Sequence, residues 1–225
     1  MQADVRKISF RELADDVDLV SGGPPCQPFS LGGKHKGRSD ERDLFPEAVR
    51  AVRELAPSVF VFENVRGLLR PSFSTYFNYV LLQLRYPYLA LRTQENWTKH
   101  LDRLEKHHAS GSRDLCYNVV WRSLNAANYG VPQNRHRVFL VGFRDDLDVE
   151  WSFPEETHSA DSLLWSHYVT SEYWDRHGIT RPKSADPSEP MRGKVARIRD
   201  KYGLFGPSME PCRTVRDAIG DLPTP

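Results

Sequence analysis

Apolar positions in this chain come in short bursts whose spacing alternates between strand and helix periods. Val17, Leu19 and Val20 form a brief apolar run that predicts a strand over residues 17–21. In residues 44–55, LFPEAVRAVREL, Leu44, Ala48, Val52 and Leu55 recur along one side of a helix, with Pro46 tolerable in its first turn. Residues 58–62 predict the next strand, and residues 73–85 a further helix on which Tyr76, Val80 and Leu84 recur. Residues 117–124 and 137–143 read as two more strands flanking the turn Gly130-Val131-Pro132-Gln133. Strands alternating with helices place the chain in the α/β class.

The polar stretches are equally informative. Residues 31–42, LGGKHKGRSDER, are glycine-rich and charged, which predicts a mobile loop. Residues 92–114 are polar and carry His100, His107 and His108 without carboxylates or cysteines at ligand spacing, so they predict a solvated helical insertion rather than a metal site. Beyond residue 145 the strand signal fades. Residues 151–200 mix Trp151, Trp165 and Trp174 with prolines and charges, and fit either an ordered insertion or a partly flexible arm.

At 225 residues the chain is long enough for one α/β domain with a sizeable core. Its net charge of +1 announces no global attraction to a polyanion, so a nucleic-acid partner would need a local basic cleft. Basic residues do cluster, at Lys34, His35, Lys36 and Arg38 and again at Arg135, His136 and Arg137. Cys26, Cys116 and Cys212 have no paired spacing, which suits a reducing, cytoplasmic setting. No apolar run is long enough to suggest a membrane span, and no metal-ligand pattern appears.

One segment carries more chemistry than the rest. Residues 22–30 read GGPPCQPFS, so prolines stiffen the backbone on both sides of Cys26. The predicted strand before it would deliver the thiol just past a strand's carboxyl end, where open α/β sheets bind ligands. A thiol is a strong nucleophile when its surroundings favour the thiolate. Two later segments join it: a strand ending in Glu63-Asn64-Val65, and QNRHR at residues 133–137 before the apolar run VFLVGF. PPCQPFS, ENV and QNRHR, in that order, resemble the cytosine-C5 DNA methyltransferases.

The resemblance implies a Rossmann-like methyltransferase core that uses S-adenosylmethionine and acts on double-stranded DNA. By that resemblance Cys26 is the nucleophile that adds to carbon 6 of cytosine, and Glu63 the acid at nitrogen 3. Arg135 contacts the base oxygen and Arg137 supports the pocket. Gln27, Ser30, Asn64 and Gln133 border the substrate, with Asn64 holding neighbouring backbone. Asp4 and Val5 lie by the cofactor's adenine, Pro25 by its transferring end and Leu44 beneath the ring. The target atom is stacked inside the duplex, so the base must be flipped out, and the loop 31–42 would close over it.

The sequence also departs from the family. It lacks the Phe-x-Gly-x-Gly loop and the following ribose-binding acid, and it lacks the later Gly-Asn-Ser-Val motif. The expected fold is therefore a methyltransferase core without its first strands and without a target-recognition domain. Residues 1–145 are the partial catalytic domain, and residues 146–225 an insertion and linker ending in a short helix within PCRTVRDAIGDLP. The expected protein is a fragment, or one piece of a split enzyme that works with a complementing methyltransferase chain. Competing readings are an inactive remnant that binds nucleic acid without turnover, and a tRNA-directed relative. The second of these lacks support because no Cys-Phe-Thr tripeptide is present.

Overall fold

Phe60, Phe62 and Asn64 are buried while the residues between them are half-buried, so β2 (Val59–Val65) keeps strict two-residue alternation to its end. The computed structural model containing it describes residues 4–12, 17–25, 43–111 and 116–222. They fall into two compact units, one of Met1–Ser123 with Arg137–Ser152 and one of Leu124–His136 with Phe153–Pro225.

In the first unit β2 is flanked by β1 (Leu19–Gly22), parallel to it, and by β4 (His136–Arg144), antiparallel to it. With β3 (Tyr117–Asn125) the sheet order is β1-β2-β4-β3. This mixed α/β sheet is the architecture the sequence predicts. β2 ends at Val65, so Glu63-Asn64-Val65 close the strand as the sequence predicts.

Helix α1 (Phe45–Leu55) follows the expected span, yet its buried stripe is Phe45, Val49, Val52 and Leu55. Leu44 is instead the residue that precedes the helix, with Pro46 in the first turn and Ala56 closing it in a left-handed conformation. Helix α2 (Ser74–Arg85) buries Tyr76, Phe77, Tyr79, Val80, Leu82 and Leu84, nearly its whole circumference. It can do so because α3 (Trp97–Ser110) packs along it.

That packing corrects the expectation of a solvated insertion. His100 is 1% exposed and sits in the core beside Leu101 and Leu104. Its Nε2–H donates to the Leu89 carbonyl at 2.5 Å, so Nδ1 accepts from the Tyr79 hydroxyl at 2.8 Å. His108 meets the Tyr86 hydroxyl in the same manner, through Nδ1 at 2.8 Å. The helix looks polar in sequence because its buried face contains a histidine whose partners lie on other segments. Beside it, the half-buried Arg103 holds Glu95 at 2.8 Å and lowers that carboxyl to about 2.

Gly142 of β4 lies opposite Phe60 in register, and a methyl group there would come within 2.2 Å of the Phe60 ring. Glycine thus lets a fully buried phenyl fold across the neighbouring strand. Gly142→Ala should cost roughly 1–3 kcal/mol through overpacking and lower Tm by about 3–10 °C. Calorimetry checks this, and an unchanged Tm would mean that Phe60 repacks freely.

The second unit has its own small frame. β5 (His158–Ser159) pairs in parallel with β6 (Glu210–Pro211), next to α4 (Ala160–Tyr168), α5 (Glu172–Arg176), α6 (Glu189–Tyr202) and α7 (Val215–Ile219). His167 stacks on Tyr173 at 3.7 Å between ring centroids, and the Trp174 indole donates to the His167 carbonyl at 3.0 Å. Thr214 and Asp217 form a reciprocal capping box on α7, and the same carboxylate pairs with Arg176 at 2.9 Å. Residues 153–222 are thus an ordered assembly of short elements, which an aperiodic sequence leaves open. No helix among the described residues is long and apolar enough to cross a membrane.

Candidate active site

The site grows from the carboxyl ends of β1 and β2. After Gly22 the chain continues as Gly23-Pro24-Pro25, whose two prolines restrict the backbone leading toward Cys26. Cys26, Gln27, Ser30 and the loop 31–42, with Lys34, Lys36 and Arg38, lie outside the described residues. The support beneath them is described. Asn64, 3% exposed, donates through Nδ2 to the Pro24 carbonyl at 3.1 Å and accepts at Oδ1 from the Val65 N–H at 2.8 Å. Its amide is spent on backbone, so its place is that of a strut under the proline turn.

Glu63 points to the other face of β2. Arg137 lies opposite Val65, which puts its side chain on the Glu63 face and diagonal to it. The guanidinium Nε meets Glu63 Oε1 at 2.5 Å, with the two side chains 23% and 39% exposed. Glu63 Oε2 is turned toward Gly23, where even a methyl group would sit only 3.4 Å away. The structure therefore gives Glu63 an ion-pair partner on one oxygen and sets the other beside the turn that precedes Cys26. Sequence reasoning paired Arg137 with the pocket, but it did not foresee that Glu63 would face Gly23.

The four residues expected at the cofactor are gathered around α1. The Leu44 N–H donates to the Pro25 carbonyl at 3.4 Å. Arg50 donates to the Val5 carbonyl at 2.7 Å and the Ile8 carbonyl at 2.8 Å, while Glu47 and Glu54 hold its other edges. A helical side chain leans toward the helix amino terminus, so Arg50 draws the segment around Val5 toward the Leu44 end. Arg50 was missed in the sequence, although Glu47, Arg50 and Glu54 stand at the three- and four-residue spacing of helical ion pairs.

Asp4 caps the short turn Val5–Lys7, and three N–H groups of Arg6 engage its carboxylate, lowering it to about 2. The Nε–H is shared between the two oxygens, so all four acceptor directions of the carboxylate face Arg6, and a ligand amine would take the place of an Arg6 N–H. In kind, an exposed carboxylate at Asp4 and apolar residues at Val5, Pro25 and Leu44 fit the adenine end of S-adenosylmethionine.

Arg135 and Gln133 belong to the second unit. Both are exposed on the loop before β4, and Asn125 pins that loop by accepting from the Arg135 N–H at 3.0 Å. β4 begins at His136, so Arg135 precedes the strand and Arg137 lies within it. Of the described cysteines, Cys116 is half-buried and Cys212 buried, and burial pushes both thiols up, away from the thiolate. No cluster of metal-ligating side chains occurs among the described residues.

Comparison with known proteins adds four findings. The sequence model described as C-5 cytosine-specific DNA methylase matches residues 1–86 and 94–181. The chain is 33% identical over 209 residues to the Type II methyltransferase M.AquIA of Picosynechococcus sp., covering 92% of this chain and 61% of that protein. It is 37% identical over 155 residues to the Type II methyltransferase M.NgoMIV of Neisseria gonorrhoeae (69% of this chain, 40% of that protein), and 36% identical over 222 residues to the Type II methyltransferase M.AplI of Arthrospira platensis (94% and 53%). The chain thus spans about half the length of these relatives.

Proposed function

Because this chain belongs to the C-5 cytosine-specific DNA methylase family, we propose that it carries the nucleophile and the base-holding groups of a cytosine-C5 DNA methyltransferase. The observation that supports this most directly is the pairing of Glu63 with Arg137 beside Gly23, on the turn that leads to Cys26. Since the chain spans about half of its relatives, we propose that it acts as a fragment or as one piece of a split enzyme, with a complementing chain supplying the rest.

Carbon 5 of cytosine is a weak nucleophile, and the proposed residues activate it. The cytosine is extruded from the duplex so that the Cys26 thiolate can reach carbon 6. As the carbon–sulfur bond forms, the ring double bond opens and its electrons move toward nitrogen 3. Glu63 reacts in its protonated form: Oε1 stays on Arg137, and the proton carried on Oε2, the oxygen turned toward Gly23, passes to nitrogen 3 as charge develops there. Carbon 5 then has enamine character. Arg135 steadies the base oxygen, and Asn64 fixes the Pro24 carbonyl so that the thiol's support does not yield. Asp4, Val5, Pro25 and Leu44 would hold S-adenosylmethionine, which supplies the methyl group when bound. A water molecule then takes the carbon 5 proton as the thiolate leaves carbon 6, and nitrogen 3 returns its proton to Glu63, so the ring regains its aromaticity.

The test is covalent trapping. Duplex DNA containing 5-fluorocytosine cannot lose fluorine as a proton, so the thioether should persist. With cofactor and the complementing chain present, a denaturing gel should show a shifted band, and mass spectrometry should place the nucleotide on the Cys26 peptide. A preparation that methylates ordinary DNA but yields no adduct would refute the covalent route.

A further inference from the structure

We infer that α6 and the loop after it form a second contact surface for duplex DNA, an inference that rests on reading the chain as a DNA methyltransferase. Helix α6 carries Arg192, Lys194, Arg197, Arg199 and Lys201 against only Glu189 and Asp200. Val195 and Ile198 bury one side of it in the second unit. Lys194, Arg197 and Lys201 recur at steps of three and four residues, so they share one flank over roughly 10 Å of helix. All three are exposed. Lys201 reaches Asp161 at 3.4 Å with a side chain still 62% exposed, and Arg197 bonds back to the Gly193 carbonyl at 3.3 Å. Lys194 has no carboxylate partner among the described residues.

The loop after the helix is as unusual as the helix's charge. Leu204 and Phe205 are 97% and 99% exposed, far beyond any other exposed large apolar residue described. They stand between Gly203 and Gly206, both at positive φ, a conformation that disfavours other residues. Gly206 is packed so closely on the Trp165 indole that a methyl group there would lie 2.8 Å from it. The tip is therefore held in place at its base while presenting two adjacent apolar side chains to water.

An apolar tip alone would suit many partners. The cationic flank that leads to it selects a polyanion, because duplex DNA presents one charge per ~1.7 Å of its axis. Lys194, Arg197 and Lys201 meet backbone phosphates, and Leu204 and Phe205 enter the adjacent groove as a wedge that partly unstacks a base step.

The experiment uses the full 225-residue chain, a short fluorescein-labelled duplex and anisotropy over a salt series, without cofactor. Replacing Lys194, Arg197 and Lys201 together by alanine should flatten the slope of log affinity against log salt by about two to three. Phe205→Ser should weaken binding about tenfold and leave that slope unchanged. Both changes lie on exposed positions, and circular dichroism should show an intact fold. A wild-type chain that does not bind the duplex, or variants that bind as wild type does, would overturn the inference. So would a Phe205→Ser chain that turns from dimer to monomer with DNA affinity unaltered, since the tip would then join two copies. Methylation plays no part in the readout, so a failed covalent trap would sink the catalytic reading and leave this surface standing.

Discussion

Exchange of Glu63 for glutamine should lower the rate of DNA methylation by the complemented enzyme by about two to four orders of magnitude, the range of a general acid. Glutamine keeps the length and the planar end of the side chain but has no proton to give to nitrogen 3. It also removes the charge that meets Arg137 at 2.5 Å. That second loss is the smaller one. Both side chains retain contact with solvent, 23% and 39% exposed, and such a pair contributes at most about 1 kcal/mol, or roughly fivefold. A hundredfold fall therefore reports chemistry and not a loosened ion pair. Single-turnover rates measured beside equilibrium binding separate the two, because affinity for the duplex should change little. Near-full turnover in Glu63→Gln would remove this carboxyl from the proton path.

How much of this was legible in the sequence depended on where the partners of each residue lie. The apolar alternation of Phe60 and Phe62 announced β2, and the regular spacing in residues 44–55 announced α1. Asn64 continued the same two-residue rhythm with a polar side chain, inside the strand that the sequence already ended at Val65. His100 was misread for a related reason. Its partners, the Tyr79 hydroxyl and the Leu89 carbonyl, stand 21 and 11 residues away, where no local period reaches. Glu47 and Glu54 around Arg50 were within a local reading, but the carbonyls of Val5 and Ile8 were not. In the second unit, stacked rings, a capping box and two-residue strands replace long amphipathic elements, and none of these leaves a period. The chemical residues were easier to find than the scaffold because prolines and glycines crowd around them. The resemblance made Asn64 a holder of neighbouring backbone, and the structure supplies its partner, the Pro24 carbonyl.

That link sets the other large effect. Asn64→Leu, nearly equal in shape, should both destabilise the chain and slow adduct formation. The buried substitution leaves the Pro24 carbonyl and the Val65 N–H without the partners they have at 3.1 and 2.8 Å. Each orphaned group costs about 1–3 kcal/mol, so a total of about 2–6 kcal/mol and a Tm lower by roughly 4–20 °C are expected. The kinetic effect has a separate origin. Pro24 and Pro25 stiffen the turn but do not anchor it, and Asn64 ties it to β2 two residues before Cys26. A displacement of about 1 Å at a nucleophile can cost about a hundredfold in rate. Asn64→Asp distinguishes the two bonds, because it keeps an acceptor for Val65 while setting a carboxylate oxygen against the Pro24 carbonyl. It should slow trapping on 5-fluorocytosine DNA almost as much as leucine does, at a smaller loss of Tm. If both variants lose stability yet trap at the wild-type rate well below their Tm, Asn64 supports the fold alone and does not position the thiol.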